Sequence, residues 1–145
     1  MWKKEDDWFW EGNVQDKLAK HFENQGFKVT VTDTLSKSKG IDISATRNSD
    51  TLLIEVKGYP SNKYVDGSKQ GLVKKTQPTL QAHHWFSDAF LSVVRRKNKF
   101  PNSVIAMGLP EFQRYLDLIE EAKWAFEKLG IRTFIIKSTG EVYEV

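Results

Sequence analysis

The chain has 145 residues, 39% apolar and 28% charged, a length and balance that suit one soluble globular domain over 1–145 and argue against disorder. It contains no cysteine, which excludes a disulfide scaffold, a thiolate zinc site, an iron–sulfur cluster and a cysteine nucleophile. Lys and Arg number 22 against 19 Asp and Glu, so the net charge of +3 is only a weak pointer to an anionic partner.

The opening MWKKEDDWFW carries acids where a signal peptide needs an apolar run. No stretch approaches the roughly 18 apolar residues of a membrane span, so a cytoplasmic location and no membrane partner are expected. Asp6 or Asp7 is placed to cap a helix running to about Gln25, with Gly26 as its stop. Val14, Leu18 and Phe22 recur every four residues and mark its buried face. Phe27 to Thr34 alternates like a strand, and Ile41 to Arg47 and Thr51 to Lys57 read as two more around a short polar turn.

Gly58 to Pro78, rich in Gly, Ser and Lys, reads as a long loop. A helix follows from Thr79 to Lys97, with Leu80, Phe86, Ala89, Phe90 and Val93 inward. Ser103 to Met107 is a short apolar strand. Pro110 is placed to open a third helix, in which Phe112, Tyr115, Leu116, Ile119, Ala122, Phe126 and Leu129 face inward and which Gly130 ends. Ile131 to Ile136 and Val142 to Val145 close the chain as strands. The order α-β-β-β-α-β-α-β-β implies an α/β domain with a mixed sheet flanked by helices.

The chemistry concentrates between Gly40 and Gly58. With Asn48-Ser49 as the turn, Ile41 faces Val56, Ile43 faces Ile54 and Ala45 faces Leu52. Every strongly apolar residue except Leu53 then shares one face, and a slip of one residue would break the pattern. The same register sets Asp42 opposite Glu55 on the other face, with Lys57 two residues further along it. Like charges across a strand pair destabilise by roughly 0.2–1 kcal/mol, a cost that a divalent cation removes. A carboxylate pair beside a lysine suits metal-assisted phosphodiester hydrolysis. A solvated strand face is the alternative reading of the same residues.

Asp42, twelve intervening residues and then Glu55-Val56-Lys57 resembles the D…E-x-K signature of the PD-(D/E)XK nuclease superfamily, with Ile41 in place of the proline. The resemblance implies a restriction-endonuclease-like α-β-β-β-α-β core, followed here by an extra C-terminal helix and strands. It implies Mg²⁺, with Mn²⁺ as a substitute, held by Asp42, Glu55 and the carbonyl of Val56, and a water assisted by Lys57. Such nucleases often carry an acidic or amide residue on the first helix. Glu11 and Gln15, four apart on one helical face, match that place, Glu11 as ligand or Gln15 as holder of a metal-bound water. Gln81 and Trp85 are similar to a Q-x3-Y element of some members that lines the site near DNA, although Trp85 is more readily read as core.

Lys63, Lys69, Lys74 and Lys75 lie in the long loop, Lys37 and Lys39 precede the catalytic strand, and Arg95 to Lys99 end the second helix. The loop lysines are read as phosphate contacts, with a solvated surface as the alternative. His21, His83 and His84 are read as bystanders. Trp2, Trp8, Phe9 and Trp10 are read as packing or self-association residues rather than base-stacking ones. The expected activity is Mg²⁺-dependent hydrolysis of DNA in restriction, defence or repair, with the 58–78 loop, a homodimer or a partner protein supplying specificity. The alternatives are a structure-selective Holliday-junction resolvase and a non-catalytic DNA-binding subunit that keeps the fold.

Overall fold

A computed structural model describes residues 2–32, 41–63, 67–73 and 77–145. Lys37, Lys39, Asp66, Lys74, Lys75 and the expected strand beyond Thr32 lie outside these residues. Within them the chain is an α/β fold of three helices and a six-stranded mixed sheet. In chain order the elements are α1 (Glu11–Asn24), β1 (Lys28–Val31), β2 (Ile43–Arg47), β3 (Asp50–Val56), α2 (Pro78–Lys99), β4 (Val104–Pro110), α3 (Gln113–Leu129), β5 (Ile131–Ile136) and β6 (Val142–Glu144). The strands lie side by side in sequence order. β1, β2 and β3 are antiparallel, β3, β4 and β5 are parallel, and β6 returns antiparallel to β5.

Parallel neighbours need long crossovers, and α2 and α3 supply them. Both crossovers step the same way along the sheet, and both helices pack on one face against Ile105, Met107, Ile131 and Ile135. α1 covers the other face, against Ile43, Ile54, Val56 and Phe134. Its Val14, Leu18 and Phe22 are at most 2% exposed, and each contributes about 1.5–3 kcal/mol by leaving water. The four-residue spacing read from the sequence is therefore the seam that sets α1 on the sheet.

Several boundaries differ from the sequence expectation. α1 begins at Glu11, not at Asp6 or Asp7, because Lys4–Asp6 forms a separate 3-10 turn and Asp6 accepts from the Lys3 N–H there. Pro110 ends β4 rather than opening α3, and Phe112 occupies the position before the helix. The Glu111 N–H still pairs with Ile136, so the sheet holds the chain extended past the proline. Leu80 and Leu129, expected inward, are 52% and 48% exposed. Between β3 and α2 the described residues include a 3-10 turn at Gly67–Lys69 and a bridge between Lys63 and Val73. Gly26 (φ 87°) and Gly130 (φ 70°) stand just beyond α1 and α3, as expected of helix stops.

Candidate functional site

The β2–β3 hairpin has the expected register, with Ile43 opposite Ile54, Ala45 opposite Leu52 and Arg47 opposite Asp50. Asn48 takes φ 56° in the turn, a left-handed conformation that Asn tolerates well. Ile43, Ala45, Leu52, Ile54 and Val56 all join the core beneath α1. The ladder stops at the Ile43–Ile54 pair, short of the expected Ile41–Val56 and Asp42–Glu55 pairs. Beyond it the Asp42 side chain replaces the backbone: its Oδ2 accepts the Val56 N–H at 2.8 Å.

The parallel edge of β3 makes this geometry useful. The Lys57 N–H donates to the Gly108 carbonyl of β4, so the polar backbone groups of Glu55 and Lys57 point towards β4. Strand alternation turns both the N–H and the carbonyl of Val56 to the opposite edge, where Asp42 lies. One edge thus presents the Asp42 carboxylate beside the Val56 carbonyl.

Gln15, 1% exposed on α1, spends its amide N–H groups on two backbone carbonyls, Thr32 at 2.9 Å and Asp42 at 2.8 Å. The Thr32 N–H also donates to the Asp42 carbonyl. Gln15 therefore positions the Asp42 segment against β1 and α1 through its amide nitrogen.

Glu11 arrives from the start of α1. That start is pressed onto the end of β3 at Gly58, where a Cβ would stand 2.5 Å from the Phe9 carbonyl and 2.6 Å from the Glu11 nitrogen. Tyr59 donates its N–H to the Phe9 carbonyl, and the buried Tyr115 hydroxyl donates to the Gly58 carbonyl at 2.7 Å. Burial raises the Tyr115 phenol further above its ordinary value, so it stays a donor. Glycine at 58 is what lets the helix start approach closely enough to bring Glu11 beside Lys57.

Glu11, Asp42, Glu55 and Lys57 form one electrostatic cluster. Burial, followed by repulsion from Asp42, pushes Glu11 up from 4.5 to about 7, against the pull of Lys57. Glu55 rises to about 7 for the same leading reasons, with Glu11 adding repulsion and Lys57 and Arg96 opposing it. Asp42 is raised by burial, while the Val56 N–H, Lys57 and Arg96 hold it down. The cluster is short of positive charge. Among the described residues no three His, Asp or Glu side chains group closely enough to enclose an ion. Mg²⁺ needs only one or two carboxylates, its remaining positions being filled by water and substrate. The pairing of Asp42 and Glu55 with the Val56 carbonyl fits that hard-oxygen requirement.

The other expected contacts divide. Among the described residues, Lys57 and Arg96 act on both Asp42 and Glu55. Lys63 lies over the Trp2 ring at 5.5 Å, Lys69 is exposed, and Gln81 is half-buried in the first turns of α2. His83 and His84 are exposed. Trp8 and Phe9 pack against Phe112, one stacked and one edge-on, as expected of packing residues. Arg96 is the residue that charge counting alone did not single out. It sits one turn from the helix end in a run of basic residues, and only the crossing of α2 over β3 distinguishes it.

In comparisons with known proteins, no family model matches the chain, and neither a curated protein nor a solved structure matches it.

Proposed function

We propose that the chain is a metal-dependent deoxyribonuclease of restriction-endonuclease-like fold that hydrolyses DNA phosphodiesters. The observation that carries this reading is that Glu11, Asp42, Glu55 and Lys57 lie within reach of one another's charge, with Glu11 and Glu55 displaced to about 7. Perturbed, mutually repelling carboxylates beside a lysine are typical of sites built for a cation and for proton transfer. The α-β-β-β-α-β order of the first six elements supports the same reading, as does the D…E-x-K resemblance.

Asp42, Glu55 and the Val56 carbonyl would hold Mg²⁺. The ion supplies charge stabilisation at the phosphoryl group and acidifies water. Lys57 donates from Nζ to the attacking water and to a non-bridging phosphate oxygen, fixing the line of attack. Glu11, raised by burial and by Asp42 in the metal-free site, is placed to take the water's proton. Arg96 faces the cluster from α2 and balances the approaching phosphate. As the new oxygen–phosphorus bond forms, the bond to O3′ breaks and O3′ is protonated, leaving a 5′-phosphate and a 3′-hydroxyl.

The test is incubation with supercoiled, linear, single-stranded and four-way branched DNA in Mg²⁺, Mn²⁺ or EDTA. Cutting in either metal and none in EDTA is expected. Cutting confined to four-way junctions would make the chain a resolvase, and DNA binding with no cutting anywhere would make it a non-catalytic subunit.

A further inference from the structure

A cavity of about 250 Å³ opens beside the carboxylate cluster, and Glu11 lines both. Its walls are aromatic: Phe9 and Trp10 from the segment before α1, Tyr59 after β3, and Trp85 from α2. Phe9 and Tyr59 are held by neighbours, meeting edge-on at 6.4 Å, with Tyr59 stacked on Phe112 at 3.8 Å. Trp10 and Trp85 complete the wall: the Trp10 ring is packed over Gly12, where an added Cβ would stand 2.2 Å from it, and among the described residues Trp85 pairs with no other ring. The volume lies below the roughly 300–1,000 Å³ of drug-sized sites, giving room for one planar group and none for a duplex segment.

The polar lining selects among planar groups. Asp7 and Glu11 disfavour a phosphate inside the cavity, while Ser61 and the carboxylates offer hydrogen-bonding partners to a base edge. Lys4 lies at the same wall and is suited to a backbone phosphate outside. We propose that the cavity takes a single unpaired nucleobase and sets its phosphodiester at the Glu11–Asp42–Glu55 cluster, making DNA with an unpaired nucleotide (a single strand, frayed end or flap) the preferred substrate over intact duplex. The substrate preference rests on the nuclease reading above; base binding in the cavity does not.

The experiment titrates the full chain, in EDTA, into a single-stranded oligonucleotide carrying one 2-aminopurine, and into the same strand annealed as blunt duplex. Stacking lowers the fluorescence of the unpaired probe. Base–aromatic stacking lost on alanine substitution weakens binding by about 5- to 150-fold, so Trp85→Ala is expected to lose that much for the single strand and little for the duplex. Trp85→Phe restores most of it. Ser61→Phe, which fills the cavity without removing a packed ring, produces the same selective loss. An unchanged probe signal, equal losses for both DNAs, or wild-type single-strand binding by Ser61→Phe overturns the proposal. Metal removal separates the two readings, because EDTA is expected to stop cutting while leaving the probe signal intact. A chain that cuts no DNA yet quenches the probe keeps the base site and loses the nuclease assignment. Metal-dependent cutting without quenching does the reverse.

Discussion

The Val56 N–H donates to Oδ2 of Asp42 at 2.8 Å, so the side chain just before β2 takes up the backbone donor at the end of β3. This bond fixes the Asp42 carboxylate at the edge of β3 that also carries the Val56 carbonyl. Asn in place of Asp42 keeps an acceptor for the N–H but removes the charge. Asp42→Asn is thus expected to fold with unchanged or slightly raised stability and to lose metal binding, read by thermal melting and Mn²⁺ titration side by side.

Stability without metal should rise as the solution is acidified from pH 8 towards 5. Glu11 and Glu55 hold their protons more tightly in the fold, at about 7, than in the unfolded chain, at 4.5. The penalty for ionising them is absent below 4.5, grows between 4.5 and about 7, and is complete above 7. Each such displacement is worth on the order of 3 kcal/mol. Melting curves in EDTA across this range should show the rise, and saturating Mg²⁺ or Glu55→Gln should flatten it.

Gln15 separates two roles. Its amide N–H groups serve the carbonyls of Thr32 and Asp42, so a carboxylate there would face acceptors instead of donors. Gln15→Glu is expected to destabilise the fold by about 1–3 kcal/mol and to weaken metal binding. A ligand role would produce the opposite, tighter Mn²⁺ binding, so the sign of the change in Mn²⁺ affinity decides.

Gly58→Ala tests the joint between α1 and β3. The added carbon would meet backbone atoms of Phe9 and Glu11, which cannot swing aside as a side chain does. A loss of about 1–3 kcal/mol is expected in chemical denaturation. Cutting should fall with it, because Glu11 moves away from Lys57.

Tyr115→Phe removes one hydroxyl behind the site. The Gly58 carbonyl loses its buried donor, at a cost of about 1–3 kcal/mol. The core otherwise keeps its shape, so Mn²⁺ affinity should change less than stability in the same titration.

The hairpin was legible in the sequence because two independent signals agree on it. The Asn48-Ser49 turn and the alternation of Ile43, Ala45, Leu52 and Ile54 specify one register, and the fold adopts it. Helix starts were less legible. Asp6 and Asp7 look like caps for α1, but the 3-10 turn uses Asp6 locally and Trp10 takes the cap position without a side-chain bond. Pro110 carries the signature of a helix start, and sheet pairing through Glu111 and Ile136 overrides it. Glu11 and Gln15 shared a helical face in the sequence, while their division into charge partner and positioning residue follows from what each reaches: Gln15 the carbonyls of Thr32 and Asp42, Glu11 the charges of Asp42 and Lys57. Arg96 and Tyr115 depend on how α2 and α3 cross the sheet, which no local pattern encodes.

The central claim, that Asp42, Glu55 and Lys57 form a metal-dependent phosphodiesterase site, is tested most directly by single-turnover cleavage of the best DNA substrate in Mg²⁺. Wild type, Asp42→Asn, Glu55→Gln and Lys57→Ala are compared, with folding checked by circular dichroism. Each folded variant should lose at least about a hundredfold in rate, with Asp42→Asn and Glu55→Gln also losing Mn²⁺ binding, which Lys57→Ala retains. Metal-dependent cutting at the wild-type rate in all three folded variants would contradict the assignment.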